Sequence, residues 1–341
     1  MVDADAEGMG LSEDALIARY FRPLAEGFPG AFGLQDDAAV LDPAAGEDLV
    51  ITTDALIAGV HFLTDDMPAD IAYKALAVNV SDLAAKAAKP VAYSLALGLP
   101  RGTPESWIAE FADGLGQAQA AFGIALSGGD TATSPGGPLM ISITAFGRVP
   151  HGRMVRRSGA QPGDSLCVSG TIGDAALGLL LRRGDAETHH WPFGVEERAA
   201  LISRYLRPEP RIPLREALLA CASAAMDISD GLAIDATRLC AASGVSGRIE
   251  TAKVPLSGPA QSVLLADPGA LETILTGGDD YEILAAVPPG RDRAFAASAE
   301  AAGIAVTRIG VVVQGTDPLA IIGGDGRALT LSRLGYDHLA R

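Results

Sequence analysis

The chain has 341 residues, of which 48% are hydrophobic and 20% charged, and this composition excludes global disorder. Its length predicts two domains, because one domain usually takes about 100–200 residues. The formal net charge is −16, from 26 Lys and Arg against 42 Asp and Glu. This excess of acid argues against nucleic-acid binding and against docking on anionic membranes, since both need basic surfaces. It is compatible with carboxylates that hold hard cations.

The three cysteines, Cys167, Cys221 and Cys240, are odd in number and have no C-x-x-C spacing. We predict that they are small buried side chains rather than disulfide partners or zinc ligands. The first ten residues are acidic and lack the basic and apolar regions of a secretory signal. No apolar run approaches the roughly 18 residues of a membrane-spanning helix. We therefore expect a soluble, cytoplasmic protein.

Strand-like and helix-like patterns alternate along the whole chain. In the first half we predict strands over 48–53, 91–99, 124–127 and 139–149, and helices over 69–86 and 104–122. In the second half we predict strands over 166–169, 224–227, 282–287 and 305–313, and helices over 174–181, 213–222, 231–242 and 292–302. Residues 182–197 are interpreted as an exposed connection. These patterns predict an α/β protein with mixed, α+β-type sheets. A polar stretch near 150–160 suggests domains 1–150 and 151–341.

Aspartates occupy six short motifs: QDDAAV, TTDAL, NVSDLAAK, SGGDT, MDISDGL and TGGDDYE. In five of them the acid is expected at a strand end or in a glycine-rich turn, and the exception is the helical Asp82. One Asp in a turn needs no functional explanation, because Asp forms turns and caps well. Six such motifs favour a site in which converging carboxylates are neutralised by cations. Mg²⁺ suits this role, since it binds carboxylate oxygens and substrate phosphates together.

The glycine pairs Gly128-Gly129 and Gly277-Gly278 would let the backbone approach a polyphosphate closely. Taken alone they are equally typical of ordinary turns. The sequence has no P-loop motif, no protein-kinase motif set and no G-x-S-x-G nucleophile elbow. If this protein binds the phosphates of ATP, it therefore uses an uncommon ATP-binding fold.

Read in order, these motifs resemble the thiamine-monophosphate kinase family of the aminoimidazole-ribonucleotide-synthetase-like ATP-binding superfamily. The similar segments run from QDDAAV (35–40) and TTDALIAGVHF (52–62) to TGGDDYEIL (276–284) and GYDH (335–338), and they include GRMVRRSGAQPGD (152–164) and RPEPRI (207–212). The resemblance implies a two-domain AIR-synthetase-like fold whose N-terminal sheet pairs with its mate in a homodimer. It implies direct transfer of the ATP γ-phosphoryl group to thiamine monophosphate, with several Mg²⁺ ions and no covalent nucleophile on the enzyme.

The resemblance also assigns site residues by motif position. It implies the metal ligands Asp37, Thr52, Thr53, Asp54, Asp82, Asp130, Asp227 and Asp230. It implies ATP contacts from Gly129, Asp130, Arg157 and Ser229, and contacts to thiamine monophosphate from His61, Asp279 and Tyr336. Without the resemblance, His61 would be interpreted as a structural histidine and Tyr336 as an anchor of the C-terminal segment. Lys74 and Lys86 are expected on exposed helix faces.

The chain departs from the family pattern at three places. Gln35 stands where the family usually has Gly, and Ala87 stands where Gly usually follows the NVSDLAAK motif. Asp279 replaces the usual Glu in the motif that here reads GGDDYE. None of these changes removes an implied metal ligand, so we expect an active phosphotransferase.

Two other interpretations compete with this one. A related ATP-dependent synthase, of the hydrogenase-maturation or selenophosphate type, would share the ATP-binding carboxylates but differ in its acceptor pocket. The GVHF and GGDDYE segments favour the thiamine interpretation over it. A non-catalytic nucleotide sensor would be expected to have lost metal carboxylates, and no such loss is visible.

Overall fold

The computed structural model describes residues 13–35, 38–42 and 44–336. Its contacts divide these residues into two units. The first holds the described residues up to Leu83 together with Lys89–Gly152, and the second holds Ala84–Ala88 together with the described residues from Arg153 onwards. Within the described residues no helix is both long enough and apolar enough to cross a membrane.

The first unit is built around a four-stranded sheet. In chain order its elements are α1 (Glu13–Leu16), irregular helical turns over Ile17–Phe21, Arg22–Ala25 and Pro29–Leu34, β1 (Glu47–Ile57), α2 (Pro68–Ala85), β2 (Lys89–Pro100), α3 (Glu105–Phe122), β3 (Ala125–Ser134) and β4 (Met140–Pro150). The strand order is β1-β4-β2-β3. Strand β4 is antiparallel to both of its neighbours, and β2 and β3 are parallel.

The two faces of this sheet differ, because side chains alternate along each strand. On one face, Ile141, Ile143 and Ala145 of β4 are completely buried. Helix α3 lies on this face, where Gln119 donates a hydrogen bond to the Tyr93 hydroxyl at 3.3 Å. The opposite face carries Ile51, which is 58% exposed. The alternation predicted from the sequence therefore corresponds to one packed and one open face.

The second unit contains a six-stranded sheet between helices. Its elements are β5 (Ser165–Ser169), α4 (Asp174–Arg183), a 3₁₀ turn (Ala186–His190), α5 (Val195–Leu206), a 3₁₀ turn (Ile212–Leu214), α6 (Arg215–Cys221), β6 (Ala224–Ile228), α7 (Leu232–Ser243), β7 (Ser246–Glu250), a 3₁₀ turn (Thr251–Lys253), α8 (Gly258–Ala266), α9 (Ala270–Thr276), β8 (Glu282–Val287), α10 (Asp292–Ala301), β9 (Val306–Val313) and β10 (Ala320–Ile322). The strand order is β10-β7-β9-β5-β8-β6.

Every residue of β5, β6 and β8 is buried, because apolar clusters pack on both faces of this sheet. All three cysteines are free and buried, as predicted from their spacing. The mixed α/β, two-domain architecture expected from the sequence is confirmed.

Several predicted boundaries were wrong. Asp54 lies inside β1 and Asp130 inside β3, not at strand ends, because the pairing with β4 and with β2 continues beyond each of them. The segment 182–197 is not simply an exposed connection, since it includes a 3₁₀ turn and the buried Trp191. Lys74, expected on an exposed helix face, is only 2% exposed.

Two of the departures from the family pattern, at Ala87 and Gln35, differ in their effect on the backbone. Ala87 adopts a φ of +56°, a left-handed conformation that Gly adopts freely and that costs other residues about 1–2 kcal/mol. Gln35 has a φ of −112°, so its conformation does not require Gly.

Candidate active site

In the first unit, β1 and α2 bring polar oxygens together on the packed face of the sheet. The Thr52 hydroxyl donates a hydrogen bond of 2.5 Å to the Asp82 carboxylate. The backbone N–H of Asp54 donates to the side-chain oxygen of Asn79 at 3.1 Å. Asp54 has the same side-chain direction as Thr52, because they are two residues apart in one strand. Asn79, which is fully buried, has no role in the sequence interpretation although it belongs to the NVSD motif.

The side chain of Thr53 lies on the opposite face from Thr52. Its hydroxyl contacts the Thr144 hydroxyl and the Ile143 carbonyl, both at 3.0 Å. The structure therefore brings Thr52, Asp54 and Asp82 to one face and leaves the Thr53 side chain on the other.

Asp130 lies on edge strand β3, beside Ala96 of β2. It lines a cavity of about 590 Å³, whose floor is Gly128–Thr131 and whose apolar wall includes Ile17, Phe21 and Leu34. This is the open face of the sheet, because Ala96 alternates with the buried Leu95 and Leu97. Asp130 and Asp54 therefore lie on opposite faces and on opposite edge strands.

His61 lies in the turn that follows β1. Its Nδ1 accepts the backbone N–H of Ile57 at 3.0 Å. In the neutral ring this hydrogen bond fixes the proton on Nε2, so Nε2 acts as a donor. A donor at this position matches the chemistry needed to bind a phosphate oxygen.

In the second unit, the motif MDISDGL forms the end of β6 and the loop that leads into α7. Asp227 is 6% exposed and pairs with Ile283 of β8. The backbone N–H groups of Ser229 and Asp230 both donate to the Asp235 carboxylate at 3.0 Å. Asp235 therefore fixes the conformation of this loop.

Arg238 binds the two carboxylates of this loop region together. It forms an ion pair with Asp230 and a second one, of 2.8 Å, with Asp235. Burial raises the pKa of Asp235 to about 6, and the Asp230 N–H and Arg238 oppose that shift. No role was assigned to Asp235 or Arg238 from the sequence. Asp235 lies in the first turn of a predicted helix, and an acid at that position could have indicated a structural role.

The loop Gly277–Tyr281 lies directly beside the β6 loop. The Asp279 N–H donates to the Ser229 carbonyl and the Tyr281 N–H to the Ile228 carbonyl, both at 2.8 Å. Asp279 has a φ of +62°, and short Asp tolerates this left-handed conformation better than most residues do. The Tyr281 hydroxyl contacts the Asp279 carboxylate at 3.3 Å.

Asp280 points away from this surface into the interior. It is 2% exposed, and both of its carboxylate oxygens accept the Gly173 N–H, at 2.9 and 3.0 Å. Burial raises the pKa of Asp280 well above its usual value, the Gly173 N–H opposing that shift. Of the two adjacent acids, Asp279 is therefore partly exposed at the loop surface and Asp280 is buried beneath it.

The remaining sequence-derived positions in the second unit lie around these loops. The Tyr336 N–H donates to the Asp230 carbonyl at 3.0 Å, and its side chain is 43% exposed. Arg157 is exposed and follows Arg156, whose carbonyl accepts the N–H of Ala225 in β6. The structure thus brings together Ser229, Asp230, Asp279 and Tyr336. Asp37 lies outside the described residues.

The oxygen-only donors of Thr52, Asp54 and Asp82 fit Mg²⁺, which prefers hard oxygen ligands. Among the described residues, however, no three His, Cys, Asp or Glu side chains form a ready-made metal cluster. Such a donor set is typical of Mg²⁺ bound through one or two carboxylates plus substrate phosphates, not by an all-protein cage.

Comparison with known proteins identifies the family. Residues 35–149 match the family described as AIR synthase related protein, N-terminal domain, and residues 161–322 match its C-terminal domain. The thiamine-monophosphate kinase of Caulobacter vibrioides is 46% identical over 325 residues, which cover 94% of this chain and 89% of that protein. This identity and coverage indicate homology over nearly the whole chain, not only a shared fold.

Solved structures agree with the sequence comparison. The thiamine-monophosphate kinase of Stenotrophomonas maltophilia K279a superposes with a TM-score of 0.81 at 40% identity, covering 94% of this chain and 98% of that one. AaThiL, solved in complex with AMPPCP and TMP, superposes with a TM-score of 0.75 at 32% identity, covering 91% and 97%. The chain therefore belongs to the thiamine-monophosphate kinase family of AIR synthase-related proteins.

Proposed function

We propose that this protein transfers the γ-phosphoryl group of ATP to thiamine monophosphate, giving thiamine diphosphate and ADP. The observation that carries the proposal is near-full-length similarity to thiamine-monophosphate kinases, at 46% identity over 94% of the chain. Retention of the acids in all six motifs supports catalysis rather than a sensor role. The GVHF and GGDDYE segments support thiamine monophosphate as the acceptor rather than the substrate of a related synthase.

The cavity above Gly128–Thr131 is the proposed contact region for ATP in the first unit. Its apolar wall suits a base, and its polar floor suits phosphates. Gly129 and Asp130 form part of that floor, whereas Ser229 and Arg157 are the ATP contacts proposed from the second unit. Arg157 supplies a fixed positive charge for phosphate oxygens, because a guanidinium stays protonated at neutral pH.

The proposed metal ligands are Thr52, Thr53, Asp54, Asp82, Asp130, Asp227 and Asp230, with Asp37 completing the set. Mg²⁺ ions, when bound, would neutralise the charge of the phosphates during transfer. Thr52 and Asn79 orient the acids of β1 and α2, and Asp235 holds the backbone of the loop that carries Asp230. Arg238 pairs with Oδ2 of Asp230, so Oδ1 is the oxygen proposed to bind a cation beside this ion pair.

Thiamine monophosphate is proposed to contact His61, Asp279 and Tyr336. The Nε2 proton of His61 suits the phosphate, the Asp279 carboxylate suits a cationic or amino group, and the exposed ring of Tyr336 suits an aromatic ring. Tyr281 and the Ser229 carbonyl hold Asp279 in place.

No protein nucleophile is needed for this reaction. A phosphate oxygen of thiamine monophosphate attacks the γ-phosphorus, the bond from that phosphorus to the bridging oxygen breaks, and ADP leaves with the electron pair. Such transfers depend mainly on alignment and on stabilising negative charge. The residues of this chain would therefore contribute positioning and fixed charge.

We further infer a homodimer that forms through the open face of the first sheet, and a cytoplasmic location, where ATP is available. Ile51 and Met140 on this face are 58% and 44% exposed, and Ala55, which is also exposed, lies on the same face. A second copy of the same face would bury these apolar side chains. Sedimentation of the wild type as a dimer and of Ile51→Arg as a monomer would support this inference, and a monomeric wild type would refute it.

The reaction is tested by incubating purified protein with Mg-ATP and thiamine monophosphate and separating the products by chromatography. The expected result is thiamine diphosphate that forms with Mg²⁺ and is abolished by EDTA. Absence of product, with ATP binding still measurable by calorimetry, would refute the proposed acceptor.

A further inference from the structure

The loop Gly277–Tyr281 has an unusual backbone. Gly278, Asp279 and Tyr281 all have positive φ values, of +75°, +62° and +49°. For a residue other than Gly, this conformation costs about 1–3 kcal/mol, so it persists only where the surroundings impose it. Tyr in particular is not favoured there. The structure must therefore contain contacts that impose the conformation of this loop.

The loop is held from one side by backbone hydrogen bonds to neighbouring loops. The N–H groups of Asp279 and Tyr281 donate to the carbonyls of Ser229 and Ile228, and Asp280 accepts the N–H of Gly173. The loop is also connected covalently to the residue that follows it, whose backbone pairs with Ile228 of β6. That residue is Glu282, the first residue of β8.

Glu282 is fully buried, and both of its carboxylate oxygens are occupied. Its Oε2 accepts the Ser169 hydroxyl and the Arg211 Nε, each at 2.6 Å. Its Oε1 accepts Arg204 Nη2 at 2.8 Å and a second bond from Arg211, whose guanidinium is therefore bidentate. A Cβ on Gly170 would lie 2.6 Å from Oε2, so only Gly permits this approach.

The charges of this group balance. Glu209 forms ion pairs of 3.4 Å with Arg204 and 3.1 Å with Arg211, so two carboxylates face two guanidiniums. Arg204 also contacts the Asp280 carbonyl, at 3.5 Å, within the loop itself. We call these four residues, Glu282, Arg211, Arg204 and Glu209, the Glu282 network. It explains the RPEPRI motif, which received no role from the metal or substrate assignments.

We propose that the Glu282 network is a positioning device for the acceptor-binding loop. By fixing Glu282 from the α5–α6 connection, it holds the adjacent Tyr281 and Asp279 in their left-handed conformation and so orients the Asp279 carboxylate. Arg211 is its principal member, because it alone binds both oxygens of Glu282. Replacing Arg211 by Lys keeps the charge but removes the bidentate geometry.

The direct test is hydrogen exchange of the peptide that covers 276–282, followed by mass spectrometry of the full chain. In Arg211→Lys, we expect the amides of this peptide to exchange about tenfold faster, which corresponds to a loss of about 1.4 kcal/mol. The peptide covering 246–250 in β7 should remain unchanged. The matched control is Arg215→Lys, four residues further on, because Arg215 pairs with the exposed Glu216.

A kinetic test, which rests on the proposed function, compares the KM for thiamine monophosphate and the KM for ATP between Arg211→Lys and the wild type. In Arg211→Lys the KM for thiamine monophosphate should rise about tenfold, whereas the KM for ATP should change less than about twofold. An inactive wild type would refute the proposed function, whereas the hydrogen-exchange result would still test the positioning role of the Glu282 network. Unchanged exchange at 276–282, or equal acceleration in all peptides, would overturn the positioning role. If Arg211→Lys does not fold, Arg204→Lys, which loses one contact to Glu282, decides by the same readouts.

Discussion

Replacing Gly129 with Ala is expected to destabilise the first unit, whereas the same change at Gly128 is not. A Cβ on Gly129 would lie 2.9 Å from the carbonyl carbon of Leu95 and closer still to its oxygen, where an ordinary contact begins at 3.4 Å. Strands β2 and β3 would have to separate to admit it. A Cβ on Gly128 would meet nothing within 4 Å. Of these two neighbouring glycines, Gly129 is therefore the one that the approach of β2 to β3 requires.

Overpacking of this kind costs about 1–3 kcal/mol, whereas Ala in place of a strand Gly is otherwise stabilising by about 0.5–1 kcal/mol. We expect the net effect of Gly129→Ala to be a loss of about 0.5–2 kcal/mol in the free energy of unfolding of the first unit and a lower Tm. Gly128→Ala should leave stability unchanged or slightly raised. It should weaken ATP binding if the proposed cavity is correct, because Gly128 lines that cavity.

The assay is urea unfolding monitored by tryptophan fluorescence. The protein has two tryptophans, Trp107 in the first unit and Trp191 in the second, so a Trp191→Phe background isolates the first unit. Calorimetric titration with ATP completes the comparison. Equal stability of Gly128→Ala and Gly129→Ala would refute the argument that Gly129 is required by the approach of β2 to β3.

Three further outcomes are expected. Asp54→Asn and Asp130→Asn should each lower kcat by about 10²-fold or more, because each removes a charge proposed to hold the metal. Their circular dichroism should match the wild type, and near-wild-type turnover in both would contradict the metal assignment. Asp279→Ala should raise the KM for thiamine monophosphate more than that for ATP, whereas equal losses would contradict its role in the acceptor pocket. Asp280→Asn should remove one contribution to the pH dependence of stability. Because the pKa of the Asp280 carboxyl is raised by burial, the folded chain keeps the carboxyl proton to a higher pH than the unfolded chain does. The wild type should therefore lose stability relative to the variant as the pH rises above about 3.8, the usual pKa of Asp, and a difference that does not vary between pH 4 and 8 would contradict this.

Local patterns predicted most of the framework because each depends on residues close in the chain. The strand predicted over 282–287 corresponds to β8 without any difference, and the helix predicted over 104–122 corresponds to α3 within one residue. Strand ends were less predictable. Strand β3 continues from the predicted end at Ser127 to Ser134, because its polar second half is held by pairing with β2. That pairing is a long-range property that the sequence of β3 does not contain.

The same distinction applies to the candidate site. The motifs marked Ser229, Asp230 and Asp279 as functional positions, and the structure brings these residues together. The resemblance selected Asp279 rather than Asp280 as an acceptor contact, although the two acids are adjacent and chemically identical, so their composition gives no reason for the choice. Only the backbone conformation, with a φ of +62° at Asp279, turns one towards the loop surface and the other towards Gly173.

By itself, the sequence determined the mixed α/β architecture and the burial of the cysteines, and its motifs indicated the family. These follow from periodicity and from short motifs. Tertiary structure decided which acids share a face: the strand registers place Asp54 and Asp130 on opposite faces, and the strand order β1-β4-β2-β3 places them on opposite edge strands. It also decided that Arg211 binds Glu282, 71 residues away. A buried carboxylate is stable only when a cation neutralises it, and only the fold determines which cation lies close enough.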